Sequence, residues 1–402
     1  MPSTRLAVLS THPIQYQVPW FRALSKQPSI QLEVLYCHKA TAAEQGAAGF
    51  GRDFDWDVPL LNGYEYRFLK NEASQPTISS FKGLNTPEIA TLISSSRYDA
   101  LLVHGWHYRS AWQAFRACWK ARIPLLVRGD SQLLTPRSAL KTIMKKATYP
   151  AFISRFDACL AVGTRSREYF LHYGALPQKV FLVPHVIDEE MYERQLPPLE
   201  ERRTQLRTEW NLKDSLVVFA FVGKFLPVKR PMDFIRAVER ASSSSSDVAA
   251  IMVGDGPLRA TCEEYARSRH VPIRFVGFLN QSLIMKAYVV SDALVLPSES
   301  ETWGIVVNEA MRCGRPCFVS DQVGSAPDMI EPGVTGETFP AGDVDALAGM
   351  MLHFAQRPAD WISMRAGSRN HSIKFSVSCA VDGVLNALDA VQSDFGAKGR
   401  SC

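Results

Sequence analysis

Glu301 and Glu309 stand with seven residues between them, at the point where the chain's chemistry concentrates. The run Ala293-Leu294-Val295-Leu296 reads as a buried strand, Pro297 to Thr302 as a polar loop, and Ile305 to Cys313, closed by Gly314, as a helix. Glu301 then lies on the loop and Glu309 a little over one turn inside the helix. Both carboxylates can point into one cleft and accept hydrogen bonds from hydroxyls. A helix that starts near Gly304 leaves its first amides unpaired and turns its positive dipole end to the loop, a seat for a phosphate or a developing oxyanion. The plainer reading is a glutamate that merely satisfies a helix start.

Cations of the right spacing come earlier. The strand-like run Leu216 to Val222 is followed by Gly223-Lys224-Phe225-Leu226-Pro227-Val228-Lys229-Arg230. Gly223 permits close backbone approach, and two lysines five apart around a tight turn can grip a diphosphate; a solvated turn is the alternative. Gly254 opens a glycine turn after strand 248–253, too weak a signal on its own to mark a phosphate. In the first half, His104 closes the buried run Tyr98 to Val103, with His107 three residues on. Taken alone, such a histidine is a satisfied core or loop residue more often than a ligand. His12 and Gln15 lie on the first strand-to-helix loop, at the sheet edge where ligands bind, and can equally pack that loop. Asp130 follows strand 124–128 and either touches a substrate or caps the next segment.

Ser298, Glu301, Gly304, Glu309, Ala310, Gly314 and Pro316 together resemble the signature of retaining glycosyltransferase family 4, the group 1 glycosyl transferases of GT-B fold. The family more often has Gly-Phe-Gly where this chain has Thr302-Trp303-Gly304. It has arginine at Lys224, a replacement that keeps the charge and loses the bidentate fork. The resemblance covers nearly the whole chain and is strongest from Gly223 to Gly342. It implies that Glu301 lies by the donor sugar and Glu309 holds the ribose. Gly223, Lys224 and Lys229 would bind the diphosphate, Gly254 marks a family landmark, and Phe278 lies where relatives seat the base. Thr302, Trp303, Gly304 and Ile305 would complete the donor site. His104, five residues after Asp99, would meet the sugar, with His107 as runner-up; His12, Gln15, His107 and Asp130 are the acceptor-side candidates. The implied catalytic set is His104, Glu301, Lys229 and Lys224, with no metal and no cofactor, because cations and helix amides meet the leaving diphosphate.

The implied reaction moves a hexosyl group from a UDP or GDP sugar to a glycan or lipid-linked acceptor with retention, in polysaccharide or envelope glycan synthesis. The alternatives are a GT-B nucleotide-sugar epimerase and a non-catalytic sugar-binding scaffold.

These residues need a frame. Strand and helix patterns alternate through both halves, which predicts an α/β protein of GT-B architecture: two Rossmann-like doubly wound domains facing across a cleft. At 402 residues the chain exceeds the reach of one core. The expected division is 1–195, a highly charged linker at 196–212, a nucleotide-sugar domain at 213–375, and 376–402 as a helix crossing back to the first domain with a tail. Thr41 to Gly51 reads as a mobile loop, and Phe50 to Asn71 as acceptor-side decoration. Arg137, Lys141, Lys145 and Lys146 interleave with Leu140, Ile143 and Met144. That helix either lies on an anionic membrane surface or, as the favoured reading, turns its apolar side into the core.

A net charge of +5 with no zinc-spaced cysteines or RNA-binding aromatic motif speaks against nucleic acid as partner. Eight cysteines scattered through apolar segments point to a reducing compartment. Leu6 to Leu9 is too short for a signal peptide and no run reaches membrane-spanning length. The expected location is cytoplasmic, with peripheral contact at the inner membrane face as the extension.

Overall fold

The computed structural model describes residues 3–47, 49, 51–95 and 97–399. The chain forms two compact units, one made of residues 1–44, 59–186 and 376–402, the other of Gln45–Val58 and Ile187–Phe375. Each is built on a parallel sheet whose central strands are buried apolar runs, the pattern expected when helices cover both faces, while the edge strands are partly exposed.

In the first unit the strands are β1 (Thr4–Ser10), β2 (Ile30–Tyr36), β3 (Glu65–Phe68), β4 (Ala100–His104), β5 (Leu125–Gly129), β6 (Ala158–Ala161) and β7 (Val180–Leu182). They are ordered β3-β2-β1-β4-β5-β6-β7. The order reverses between β1 and β4, so a crevice opens at their carboxyl ends, where Ser10 and His104 are the last residues. Helix Val377–Gly399 places Ala380, Val384, Ala387, Leu388 and Val391 on one stripe, buried with Trp20, Phe21 and Leu24 of helix Val18–Ser25. It can lie close to β7 because Gly383 has no Cβ, which would sit 1.9 Å from the Leu182 carbonyl oxygen.

The second unit contains β8 (Val217–Val222), β9 (Val248–Val253), β10 (Ile273–Gly277), β11 (Ala293–Leu296), β12 (Cys317–Ser320) and β13 (Gly336–Phe339), ordered β10-β9-β8-β11-β12-β13. Its switch point lies between β8 and β11, and the loops after these strands carry the lysines and Glu301.

Four expectations are corrected. The first boundary falls at Val186, not at 195. The supposed linker 196–212 is largely helical, within Glu189–Glu201 and Arg203–Glu209, and belongs to the second unit. Glu201, Arg202 and Glu209 are exposed, but the charges turned inward are ion-paired: Arg203 and Arg207 both reach Asp292, at 2.6 and 2.7 Å, and Arg315 reaches Glu200 at 2.6 Å. The stretch read as a mobile loop contains a helix, Ala42–Ala47, and residues 45–58 join the second unit rather than decorating the first. There Phe54 packs on Phe278 at 4.7 Å, Asn280 Nδ2 donates to the Asp55 carbonyl at 2.7 Å, and the Ser282 amide donates to Asp57. Ala48 and Phe50 in that stretch, and Arg400 to Cys402 of the final segment, lie outside the described residues.

The fourth concerns the basic helix, Ala139–Ile153, in which Ile153 alone is fully buried. Its C-terminal half meets the core through Tyr149 and Phe152. Leu140, Ile143 and Met144 are 67%, 64% and 58% exposed, so the apolar stripe of the first turns is not core.

Candidate functional site

In the second unit three strand ends are tied at the switch point. The Gly223 amide donates to Val253 O at 3.0 Å and the Gly254 amide to Gly277 O at 2.9 Å. Gly254 has φ +131°, and a Cβ there would lie 1.9 Å from the Gly223 carbonyl oxygen, so only glycine lets these loops meet. The chain then turns through Pro227–Lys229, and Lys229 Nζ pairs with Glu301 Oε2. Lys224 is half-buried; burial first and the neighbouring Lys229 second pull its ammonium below the usual lysine range, against the attraction of Glu301. Two crowded ammonium groups with one carboxylate among them are poised to gain an anion.

The Glu301 loop is held from behind. Glu301 bridges to Val323, the Gly324 amide donates to Glu301 O at 2.9 Å, and the Ser325 amide donates to Trp303 O at 3.0 Å. Gly304, at φ +95°, turns the chain into helix Ile305–Arg312. Trp303 is an anchor: its ring is buried against Phe375, and its Nε1 donates to Asn308 Oδ1 at 2.8 Å. The indole therefore fills structure, leaving the backbone of Thr302 to Gly304 beside the helix start with Ile305.

Glu309 is 5% exposed. Tyr288 donates its hydroxyl to Oε2 at 2.5 Å. Burial pushes the carboxyl up to about 7, opposed by hydrogen bonds from Tyr288 and Gln281. The two glutamates thus have different jobs available: Glu301 is ion-paired, whereas Glu309 changes protonation near neutrality and can accept from hydroxyls when ionised. Phe278 lies under Phe54, with the Arg52 guanidinium 5.7 Å from its ring. Sequence reasoning missed Tyr288, Gln281, Arg52 and Phe54. Tyr288 left one signal, a tyrosine between Ala287 and Val289 on the buried end of its helix that must find a partner for its hydroxyl.

In the first unit the crevice between β1 and β4 holds a cavity of about 180 Å³ lined by Tyr16, Gln17, His104, His107, Arg128 and Asp130, among others. His107 and Asp130 are therefore brought together with His104, whereas His12 and Gln15 are not part of its wall. His12 Nδ1 sits 2.9 Å from the Thr11 hydroxyl, and burial pushes its imidazole down to about 4. Burial first and Arg128 second hold His104 well below the ordinary histidine range. Arg128 is itself buried, donating to Val183 O at 3.1 Å and Pro184 O at 2.9 Å. Among the described residues no three His, Cys, Asp or Glu side chains are grouped to hold a metal.

Residues 202–366 match the family model described as glycosyl transferases group 1, and residues 56–191 the one described as glycosyltransferase family 4. The chain is 31% identical over 170 residues to N-acetyl-alpha-D-glucosaminyl L-malate synthase of Bacillus anthracis, covering 42% of each protein. It is 28% identical over 306 residues to D-inositol 3-phosphate glycosyltransferase of Actinosynnema mirum, 72% of this chain and 70% of that one. The matches span about half the length of the first curated relatives, 42% and 52%. Among solved structures, Anabaena Alr3699/HepE in complex with UDP has a TM-score of 0.72 at 18% identity, covering 96% of this chain and 100% of that one. Sucrose-phosphate synthase from Thermosynechococcus elongatus has a TM-score of 0.68 at 17% identity, covering 98% and 100%. At these identities the structural likeness speaks to fold.

Proposed function

Because the chain belongs to the group 1 glycosyl transferases of GT-B fold, we propose that it transfers a hexosyl group from a nucleotide-sugar donor to an acceptor hydroxyl with retention of anomeric configuration. One observation carries this reading: Lys224, Lys229, Glu301 and the start of helix Ile305–Arg312 converge at the switch point of the second sheet, with Glu309 buried one turn further in. In this reading Lys224 and Lys229 hold the diphosphate, Gly223 and Gly254 let the backbone approach it, and Glu309 accepts from the ribose hydroxyls. Glu301 leaves Lys229 for the sugar when donor binds, and His104, in the cavity of the first unit, donates to a substrate oxygen. The C1–O bond to phosphate breaks as the acceptor oxygen bonds C1 on the same face, and the acceptor proton passes to the departing phosphate oxygen. The lysines and helix amides take up the developing charge without a metal.

The donor base is left as UDP or GDP: one similar fold was crystallised with UDP-glucose and one curated relative is described as GDP-mannose-dependent. Incubation with UDP- and GDP-sugars and NMR reading of the product anomer tests the reading with and without EDTA. An α-linked product from an α-linked donor is expected; an epimerised donor or inverted product overturns it.

We further propose that the enzyme works against the cytoplasmic face of an anionic membrane, on a glycan or lipid-linked acceptor in envelope or polysaccharide synthesis. Support comes from helix Ala139–Ile153, which exposes Leu140, Ile143 and Met144 on consecutive turns beside Leu133 and Leu134. From Ser131 to Phe156 the chain has five cations and no acidic residue. Apolar stripe and one-sign charge together suit an interfacial helix over an anionic bilayer. No helix among the described residues is long and apolar enough to cross a membrane. The described cysteines are all unpaired, which fits a reducing compartment. Co-sedimentation with phosphatidylglycerol vesicles is expected, along with loss of binding at high salt and in Leu140→Ser/Ile143→Ser; binding unaffected by both overturns it.

A further inference from the structure

We infer that Gln17 is a positioning residue that holds His104 as a neutral imidazole with its proton on Nε2, so that the ring offers a substrate oxygen a fixed hydrogen-bond donor. The inference rests on the reading of His104 as a substrate-contacting residue, and it concerns atoms that reading leaves undetermined. Gln17 Nε2 lies 2.8 Å from His104 Nδ1. An amide nitrogen can only donate, so Nδ1 is the acceptor and the proton of a neutral ring must sit on Nε2.

The orientation of the Gln17 amide is itself set by its other end. Ser10 donates its hydroxyl to Gln17 Oε1 at 2.8 Å. Were the amide reversed, Ser10 would have to accept from it and would be left with the His12 carbonyl as its acceptor, 3.5 Å away. The Ser10–Gln17 contact would survive with its direction reversed, but the hydroxyl hydrogen would have only that marginal acceptor in place of the amide oxygen at 2.8 Å. Ser10 and Gln17 are both almost fully buried, so no water competes for this choice.

The ring cannot turn away from the arrangement. Trp20 stacks on it at 5.6 Å with planes 3° apart, and Phe21 closes another side at 6.0 Å. Nε2 is buried in the wall of the cavity and has no partner. A buried unpaired N–H carries an uncompensated desolvation cost, which a ligand oxygen placed in the cavity would recover. The charged and titratable groups facing the ring are Arg128 and His185, with Asp130, His107 and Tyr16 on the same cavity. Burial first and the charge of Arg128 second disfavour the imidazolium, so the neutral ring acts as a donor rather than as a base.

Selective ¹⁵N-histidine labelling and long-range ¹H–¹⁵N correlation on the full chain, without substrate, reads the tautomer directly, the His104 signals being those lost in His104→Phe. The expected result is protonated Nε2 and unprotonated Nδ1, unchanged from pH 6 to 9. In Gln17→Glu a carboxylate faces Nδ1, and the proton should appear there with a raised imidazole pKa. Gln17→Leu should lower kcat/KM about tenfold, the scale of one lost neutral hydrogen bond, mostly in KM, with little change in Tm. A wild-type ring protonated on Nδ1 overturns the inference, whether or not either variant folds. So does a Gln17→Glu ring still protonated only on Nε2. Because the tautomer is read without substrate, it stands or falls separately from transfer activity: correct protonation with no transfer from any nucleotide sugar would fault the proposed reaction alone.

Discussion

Glu309 is held in the core by Tyr288, and burial pushes its carboxyl up to about 7 from 4.5. A folded-state value above the unfolded one contributes stability that is fully present below about 4.5 and is lost as pH rises through about 7, some 3 kcal/mol at most by the shift. The unliganded protein should therefore lose thermal stability between pH 5 and 8. Glu309→Gln, neutral at every pH, should flatten that decline in calorimetry. Ribose hydroxyls donate more strongly to the carboxylate than to the neutral acid, so affinity for a nucleotide sugar should rise from pH 6 to 8, with proton release seen by calorimetry in buffers of different ionisation heat. Affinity that falls over that range would contradict the ribose role. At this scale the carboxylate spacing and both lysines were legible in the sequence, because loop-to-helix geometry fixes them locally. Tyr288 and Gln17 were not, because their partners arrive from 21 and 87 residues away.

Among the elements, the loop carrying Glu301 depends on its neighbour after β12. A Cβ on Gly324 would lie 1.9 Å from the Thr302 carbonyl oxygen. Gly324→Ala should therefore displace the loop, costing about 1–3 kcal/mol in denaturant titration and lowering transfer further than that loss of fold explains. Helix Arg203–Glu209 is anchored through Asp292, which also accepts from the Val218 amide at 2.8 Å. Asp292→Ala leaves Arg207, 1% exposed, without its carboxylate and should cost about 3–5 kcal/mol, read as a lowered urea midpoint. Composition had suggested a linker here because charge density alone does not separate solvated residues from paired ones. The basic helix misled in the opposite sense: its periodicity was correct, but periodicity says that a face is apolar, not what covers it. Leu140→Ser/Ile143→Ser should leave Tm nearly unchanged, as exposed positions do, while vesicle binding is lost.

For the whole molecule, alternation of buried runs and amphipathic segments was enough to foresee two doubly wound parallel sheets, since each βαβ unit is a local matter. The division between units was less legible. Residues 45–58 are assigned to the second unit by contacts such as Phe54 on Phe278, more than 200 positions apart, which no local pattern encodes. What the two sheets share is a switch point that carries their polar groups: Ser10 and His104 in one, Gly223 to Lys229 and Glu301 in the other.

The measurement that tests the central claim most directly is calorimetric titration of the purified protein with UDP- and GDP-sugars, in wild type and Lys229→Ala, with EDTA present. The account predicts binding of one nucleotide class by the wild type and a loss of at least tenfold in Lys229→Ala, the scale of one charge-assisted contact, with the fold unchanged. Equal affinity in the two proteins would contradict the diphosphate site, and no binding of any nucleotide sugar by the wild type would contradict the donor site as a whole.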